Sequence, residues 1–338
     1  MKSTLPADTA RVQIADVPLE RRAQMGRIAL ALEDERILAF TLLTPALILI
    51  MVFIAYPFCL GIWMSLTDKL VGTPGKFIGL GNYVRLLQSD IFRTAAWNTV
   101  FFTTMATVFK AALGMWLAVL LNRKFRLARL TRSTVLLPFI VPTVLSTLAW
   151  LWMFDATFSV FNWVLRALWQ MQIGLFGIVL KHNWGYFHGP LWLGDPGWAM
   201  GSVIAVNVWR GLPFFAISFL AALQTIPQEL YEAAFVEGAS HLRILWSIVV
   251  PLVVPALLTL GIINALWAWN ELLIAVVMLQ REESRTLQAG LALLKGKNTM
   301  DIPLVMAGAT ISAIPLLLLY LFGQRVFMSG LLAGAVKE

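Results

Sequence analysis

The feature that most constrains this 338-residue chain is a series of apolar runs nearly free of charge. Each is about 20 residues long, the length of a helix that crosses a bilayer. A helix satisfies its own backbone hydrogen bonds, so it can cross lipid where an open loop cannot. Hydrophobic residues make up 59% of the chain and charged residues 13%, against about 45–50% and about 25% in soluble domains. These values exclude a soluble globular domain and predict an all-α, polytopic membrane helical bundle.

About six membrane-spanning helices are expected from these runs. Pro45 and Pro57 are expected to kink the first span, since proline cannot donate a backbone hydrogen bond. Three spans carry a charged residue, which is Lys110 in the second, Arg210 in the fourth and Glu271 in the fifth. The predicted spans are 37–67, 94–122, 133–154, 197–223, 255–279 and 302–324.

Lysine and arginine predict which loops face the cytoplasm, because basic residues accumulate in short cytoplasmic loops. The loop after the second predicted span is rich in them, whereas the longer loop 155–196 contains only Arg166 and Lys181. With about six spans, both termini and the segment 224–250 then lie in the cytoplasm. The loop after the fifth span weakens this contrast, because it is also basic. The basic residues of the two loops are Arg123, Lys124, Arg126, Arg129 and Arg132 in the first, and Arg281, Arg285, Lys295 and Lys297 in the second.

The distribution of charge and the small number of metal-ligating residues argue against nucleic acid and metal ions as partners. The net charge of +8 lies in short segments between apolar runs, where it faces anionic lipid headgroups, so nucleic acid is not an expected partner. A single cysteine, Cys59, excludes an internal disulfide, and three histidines with one thiol do not form a structural zinc site of the usual spacing. We therefore expect no metal site.

The segment 225–250 is amphipathic and too polar to cross lipid. Thr225 with Gln228 matches a capping box at a helix start, and Gly238 is a typical helix stop. Ser240 is expected to cap a second short helix that runs through Ile248. Two short helices that meet at a bend are suited to a groove in another protein.

This segment resembles the EAA motif of permease subunits of binding-protein-dependent ABC importers. Glu232-Ala233-Ala234 is followed by three residues, Gly238, nine residues and Ile248-Val249-Val250-Pro251, with Val250 where leucine is usual. Three further strings resemble the maltose-type sugar permeases of this family, with features of both partners of the permease pair. They are Phe77–Tyr83, Trp269-Asn270-Glu271 and Gln324–Lys337.

The resemblance implies the type I ABC importer permease fold, with 37–326 as the permease domain, cytoplasmic tails at 1–36 and 327–338, and 225–250 as a coupling loop. The bent segment would be a coupling helix in the cleft of a cytoplasmic ATPase subunit. Glu232 would pair with a basic residue there, Ala233 and Ala234 would permit close approach, and Gly238 would make the turn. The implied coupling residues are Glu232, Ala233, Ala234, Gly238, Ile248 and Pro251.

The resemblance also implies the partners: two ATPase subunits that hold ATP and Mg, a second permease as hetero-pair or homodimer, and an extracytoplasmic binding protein. The setting would be a bacterial-type plasma membrane. The chain contains no G-x-x-x-x-G-K-[ST] string, so we expect it to bind no cofactor and to be no enzyme. It would move a sugar or polyol by alternating access.

Polar and aromatic residues inside the fourth and fifth spans predict a route for the cargo. They repeat at helical spacing, which places each set on one stripe. Amide and carboxylate acceptors beside aromatic faces suit sugar hydroxyls and the apolar face of a pyranose. Helix packing is the competing interpretation. The candidate substrate residues are Asn207, Gly211, Phe214, Asn264, Trp267, Ala268 and Glu271.

Other features have weaker interpretations. Lys110 and Arg210 are each expected to snorkel or to pair with Glu271, a structural role rather than a cargo contact. An ion-coupled secondary transporter and a membrane-embedded enzyme remain alternatives, the latter depending on His182 and His188 with Asp155 or Asp195.

A set of tryptophans is expected to form an interfacial aromatic belt rather than a sugar-stacking surface. These are Trp150, Trp152, Trp163, Trp169, Trp184, Trp192 and Trp198.

Overall fold

A computed structural model describes residues 35–69, 75–123, 126–170, 173–175, 178–180, 189–294 and 301–335. These residues form helices almost throughout, and the predicted all-α membrane fold is confirmed. One antiparallel ribbon is added to it, in which Ile173–Leu175 pairs with Ile178–Leu180. The α-helices, numbered in chain order, are α1 (Glu35–Ile50), α2 (Tyr56–Ser65), α3 (Gly81–Gln88), α4 (Asp90–Leu121), α5 (Ala128–Val135), α6 (Leu137–Ile140), α7 (Thr143–Met153), α8 (Val160–Gln170), α9 (Pro196–Leu223), α10 (Gln228–Val236), α11 (His241–Ile244), α12 (Val250–Trp269), α13 (Leu273–Met278), α14 (Leu287–Leu293) and α15 (Ile302–Ala335).

The chain divides into two compact units, and the first, Met1–Trp63, contains α1 and most of α2. A π-helical segment, Met51–Ala55, joins these two helices. Pro57 follows this segment at once, where the wider π turn accommodates a residue without a backbone N–H. Pro45 lies inside α1. Ile37–Ser65 is long and apolar enough to span a membrane, and none of its most apolar window is buried within the chain.

Within the described residues, five helices are long and apolar enough to cross a membrane. A sixth crossing is reached when a bent pair is counted as one span: Ala128–Ile140 and Thr143–Met153 meet at 88°. The prediction of an unbroken span over 133–154 is therefore wrong. Val141 is extended and Pro142 begins the next helix, as expected where proline disfavours the helical conformation of the preceding residue.

The fifth span also differs from its prediction. It runs over Leu245–Trp269, ten residues earlier in the chain than the expected 255–279. Its first five residues, Leu245–Val249, form a π-helical segment that continues directly into α12. Pro251 comes two residues after the π-helical segment, whose wider turn accommodates a residue without a backbone N–H, so the proline does not stop the helix. The span ends at Asn270, and α13 begins only at Leu273.

Packing in the second unit, Met64–Glu338, centres on α4 and α9. Gly114 allows their close approach, since a Cβ atom at this position would lie 2.6 Å from Phe215 Cβ. One apolar cluster surrounds Phe102 and Val203, and a second surrounds Leu121 and Phe219. Lys110 of α4 and Arg210 of α9 lie along the helices between these two clusters.

The tryptophans of the predicted belt do not share one environment. Trp150 stacks on Phe154 and Phe161, with ring centroids 5.5 and 6.0 Å apart. Trp192 packs against both phenylalanines and donates its indole N–H to Asn162 Oδ1 at 2.9 Å. The rings of these two residues are half-buried in a cluster of aromatic side chains, and their place in an interfacial belt stays a prediction. Others of the set are exposed, namely Trp152, Trp163 and Trp198, and Trp184 lies outside the described residues.

Candidate functional site

A cavity of about 210 Å³ opens between α4, α9 and α12. Every candidate substrate residue from the two predicted stripes lines it, so the helical spacing placed them on one surface. The sequence interpretation did not assign Phe139 or Phe215 to this cavity. Its lining residues are Lys110, Phe139, Asn207, Arg210, Gly211, Phe214, Phe215, Asn264, Trp267, Ala268 and Glu271.

Lys110 connects the three helices. It is 4% exposed, and its ammonium donates to Asn207 Oδ1 at 2.6 Å and to Asn264 Oδ1 at 2.9 Å. The Asn264 amide in turn donates to Thr107 Oγ1 at 2.7 Å. Two amide oxygens thus solvate a charge that would be costly inside the membrane without partners.

Of the two expectations for Lys110, snorkelling or pairing with Glu271, a direct ion pair is not formed in the described part of the chain, and the two charges interact only at longer range. Glu271 lies in the break after α12, and its Oε1 accepts the backbone N–H of Ile274 at 3.1 Å. The carboxylate therefore caps α13, as acidic side chains do at helix starts. Sequence reasoning placed Glu271 inside a continuous span because it did not detect the break.

Gly211 leaves room for the lysine. A Cβ atom at this position would lie 2.6 Å from Lys110 Cε. The Lys110 side chain therefore crosses α9 at the one position in this turn that has no side chain. The role of Gly211 is therefore steric, and it follows from the close packing of α4 on α9.

Aromatic rings line the same cavity. Phe214 stacks on Phe139 with ring centroids 5.9 Å apart, and it lies tilted against Trp267 at 5.7 Å. Trp267 remains 56% exposed. A hydrophobic ring surface and hydrogen-bonding groups therefore share one concave site, the usual composition of a small-molecule site.

The second candidate region is the bend between α10 and α11. Gly238 has a φ of +77°, a left-handed conformation that glycine adopts without steric cost. Ala239 N donates to Ala234 O at 2.9 Å and Gly238 N to Phe235 O at 3.0 Å. This pair of bonds is a Schellman motif, which ends a helix and turns the chain sharply. We refer to residues 228–244 as the bent element.

The helix start of the bent element differs from its prediction. The residue before the first turn of α10 is Pro227, which has no side-chain cap. Thr225 Oγ1 instead donates to Ala222 O at 2.8 Å, so the capping box with Gln228 is wrong. Ser240 does cap the next helix, since Arg243 N donates to its Oγ at 3.4 Å. That second helix continues into the fifth span rather than ending at Ile248.

The six candidate coupling residues differ in exposure. Glu232, Ala233 and Gly238 are exposed on the bent element, whereas Ala234 is buried against the chain's own core. Ile248 is half-buried in the π-helical segment, and Pro251 is exposed in the first turn of α12. The structure therefore divides the motif into an exposed part and a part that packs internally.

Similarity to known proteins identifies the family of this chain. The family described as "Binding-protein-dependent transport system inner membrane component" matches residues 110–330, which include the cavity and the bent element. The chain belongs to this family. It is therefore a multi-pass membrane permease component, a non-catalytic subunit of a transporter whose ATP hydrolysis belongs to partner ATPase subunits.

Named relatives resemble the permease over most of its length. The trehalose/maltose transport system permease protein MalF of Thermococcus litoralis is 32% identical over 230 residues, which cover 68% of this chain and 72% of that protein. The sulfoquinovosyl glycerol transport system permease protein SmoG of Agrobacterium fabrum is 32% identical over 236 residues, covering 69% and 71%.

Solved structures show the same fold. The crystal structure of a bacterial ABC transporter involved in the import of the acidic polysaccharide alginate contains a chain that matches with a TM-score of 0.69. Sequence identity is 21%, and the match covers 90% of the permease and 99% of that chain. At this identity the likeness concerns the fold alone.

The carboxylates considered for a membrane-embedded enzyme have structural roles in the permease. Asp155 Oδ1 accepts the N–H groups of Phe158 and Thr157, and these bonds lower the pKa of its carboxyl. Asp195 Oδ1 accepts the N–H groups of Gly197 and Trp198 at the start of α9. His182 and His188 lie outside the described residues. Among the described residues, no group of three or more potential ligands is placed to hold a metal ion.

Proposed function

We propose that this permease imports a carbohydrate, a sugar or polyol, through the cavity between α4, α9 and α12. The observation that carries this proposal is the convergence of amide groups, a carboxylate and aromatic rings on one concave surface. Carbohydrates combine hydroxyl groups with an apolar ring face, which this set of side chains complements. The relatives named for trehalose/maltose and for sulfoquinovosyl glycerol support the same cargo class.

Transport would proceed by alternating access driven by ATP. Two cytoplasmic ATPase subunits, which hold ATP and Mg, would close and push the bent element, and the spans would then reorient around the cavity. The direct attachment of the bent element to α12 supports this coupling, because α12 carries Asn264, Trp267 and Ala268 at the cavity. A movement at Gly238 would thus be transmitted along one helix to the cargo.

A second permease subunit and an external binding protein would complete the assembly. The cavity of about 210 Å³ is smaller than the roughly 300–1,000 Å³ of typical ligand sites, which supports a site shared with a second permease. That permease is a different chain or a second copy of this one. The permease domain, 37–326, would be flanked by cytoplasmic tails, 1–36 and 327–338, and the coupling loop 225–250 would lie on the same side of the plasma membrane.

Reconstitution tests this proposal directly. The complete complex in proteoliposomes, supplied with its binding protein and a panel of labelled sugars and polyols, should accumulate cargo only when ATP reaches the ATPase subunits. The control replaces ATP with a proton or sodium gradient. Accumulation driven by the gradient without nucleotide would support the secondary-transporter alternative and overturn the proposal.

A charge reversal tests the coupling role of the bent element. Glu232→Lys places a positive charge at an exposed position where the family motif predicts contact with a basic residue, so ATP-driven uptake should fall at least tenfold. Glu237→Lys is the matched control, because Glu237 is exposed on the same element but lies outside the motif. Equal uptake by both variants would remove Glu232 from the coupling mechanism.

A further inference from the structure

We propose that the cargo is an anionic carbohydrate, and that its carboxylate, sulfonate or phosphate group is bound by Arg210 with help from Lys110. This inference rests on the proposed function, since it assigns a chemical class to the molecule that occupies the same cavity. It reverses the expectation that both cations have only a structural role.

The cavity has an excess of positive charge. Lys110 and Arg210 both line it, and Glu271 is the one acidic residue among its lining residues. Glu271 already accepts the backbone N–H of Ile274, where it caps α13. Glu271 makes no direct ion pair with either cation among the described residues and acts on Lys110 only at longer range, so one carboxylate faces two cations. The site therefore holds more cationic groups than acidic groups that could neutralise them.

Both cations also retain hydrogen-bond donors. A lysine ammonium has three donors, and Lys110 directs two of them to Asn207 and Asn264. Arg210 Nε is buried and has no hydrogen-bond partner within the described part of the chain. Buried donors are normally paired, so an unpaired guanidinium nitrogen at a cavity is available to a partner from outside the chain.

The environment of Lys110 and Arg210 favours an anionic group as their partner. Charges inside a membrane span are costly unless paired, and they commonly mark a substrate pathway. A neutral sugar would offer hydroxyl oxygens to these donors but would leave the excess charge uncompensated. An acidic group offers charge-assisted hydrogen bonds, which are shorter and about twice as strong as neutral ones. A guanidinium also matches the paired oxygens of carboxylate, sulfonate and phosphate groups.

The remaining lining residues suit the rest of such a molecule. Lys110 and Arg210 line the same cavity, and the lysine crosses α9 at Gly211. Phe214 and Trp267 supply ring surfaces in the same cavity. A sugar with one acidic group would therefore meet cations and aromatic faces together.

Matched pairs of cargo test the inference on the wild-type complex. The complete importer in proteoliposomes, with its binding protein and ATP, is offered a uronic acid disaccharide against its neutral counterpart, a sulfosugar glycoside against the parent glycoside, and glycerol phosphate against glycerol. Uptake should favour the acidic member of at least one pair by tenfold or more, and that pair identifies the acidic group. Import of neutral members alone would overturn the inference while the proposed function stands. Import of no carbohydrate at all would overturn the proposed function.

Variants of Arg210 test the assigned residue. Arg210→Gln should lower uptake of the acidic cargo at least tenfold by raising its half-saturating concentration, and Arg210→Lys should recover part of it. Arg93→Gln is the charge-matched control, because Arg93 is exposed on α4 and outside the cavity, where it pairs with Asp90. ATP hydrolysis without cargo should be unchanged in the Arg93→Gln control. If Arg210→Gln raises no half-saturating concentration and only lowers the maximal rate and basal hydrolysis, the arginine is structural and the assignment is wrong.

Discussion

The side chain of Lys110 lies across Gly211, so that a Cβ atom at position 211 would be 2.8 Å from the ammonium nitrogen. This relationship makes one glycine of α9 a condition for the lysine of α4 to reach both of its amide partners. The arrangement links the packing of two spans to the position of a charge in the cavity. Small changes at position 211 should therefore alter the site before they alter the fold.

Gly211→Ala tests this dependence. The added methyl group forces Lys110 away from Asn207 or Asn264, and the lost charged hydrogen bond costs about 1.5–3 kcal/mol. We expect ATP-driven uptake to fall at least tenfold in proteoliposomes while the complex still assembles. Gly261→Ala is the control, because a Cβ atom there would meet nothing within 4 Å. Unchanged transport in Gly211→Ala would show that the lysine position does not matter.

Asn264→Leu should destabilise the permease by removing an acceptor from a buried charge. Lys110 would keep only Asn207, and the lost hydrogen bond to a charged group costs about 1.5–3 kcal/mol. The double variant Lys110→Met/Asn264→Leu removes the charge together with its partner and should recover most of the lost stability. Thermal unfolding in detergent measures both. A double variant that is less stable than Asn264→Leu would contradict the coupling of these two residues.

Gly114→Val should separate α4 from α9. Its side chain would overlap Phe215, whose Cβ would be 2.6 Å from the new Cβ, and overpacking of this kind costs about 1–3 kcal/mol. We expect a lower unfolding temperature and a lower yield of assembled complex. Gly201→Val is the comparison on α9, since its Cβ position is open. Equal stability of the two variants would mean that the helices pack less tightly at Gly114 than the structure indicates.

Sequence reasoning succeeded where the physical signal was periodic. Charge-free runs located most of the crossings, and the stripes that contain Asn207 and Asn264 met at one cavity because spacing of three and four residues defines a helix face. The stop at Gly238 was predictable for the same local reason, since few residues besides glycine adopt a positive φ.

The failures concern features that hydropathy and helical spacing do not report. The 88° bend at Pro142 does not interrupt the apolar run, so hydropathy alone reads it as one span. The break before Leu273 made Glu271 a helix cap that interacts with Lys110 only at longer range, without a direct ion pair. Whether a lysine pairs with a carboxylate or with two amides is decided by which helices are neighbours, and one sequence does not contain that information.

The turn at Gly238 provides the last prediction, because its conformation can be changed without any steric clash. A Cβ atom there would meet nothing within 4 Å, so the cost of a substitution is the left-handed backbone conformation, about 1–2 kcal/mol for most residues. Asparagine tolerates this conformation and a β-branched residue does not. Gly238→Asn should therefore keep the Schellman bonds and most of the uptake. Gly238→Val should straighten or loosen the bend and lower ATP-driven uptake at least tenfold.

Membrane insertion and cargo binding should be the same in both variants, because the cavity residues are distant in sequence and remain unchanged. Uncoupled ATP hydrolysis, measured as the ratio of ATP consumed to cargo accumulated, should rise in Gly238→Val alone. If asparagine and valine impair transport equally, the effect comes from the loss of glycine's small size at a partner surface, and the geometry of the turn is not what transmits the motion.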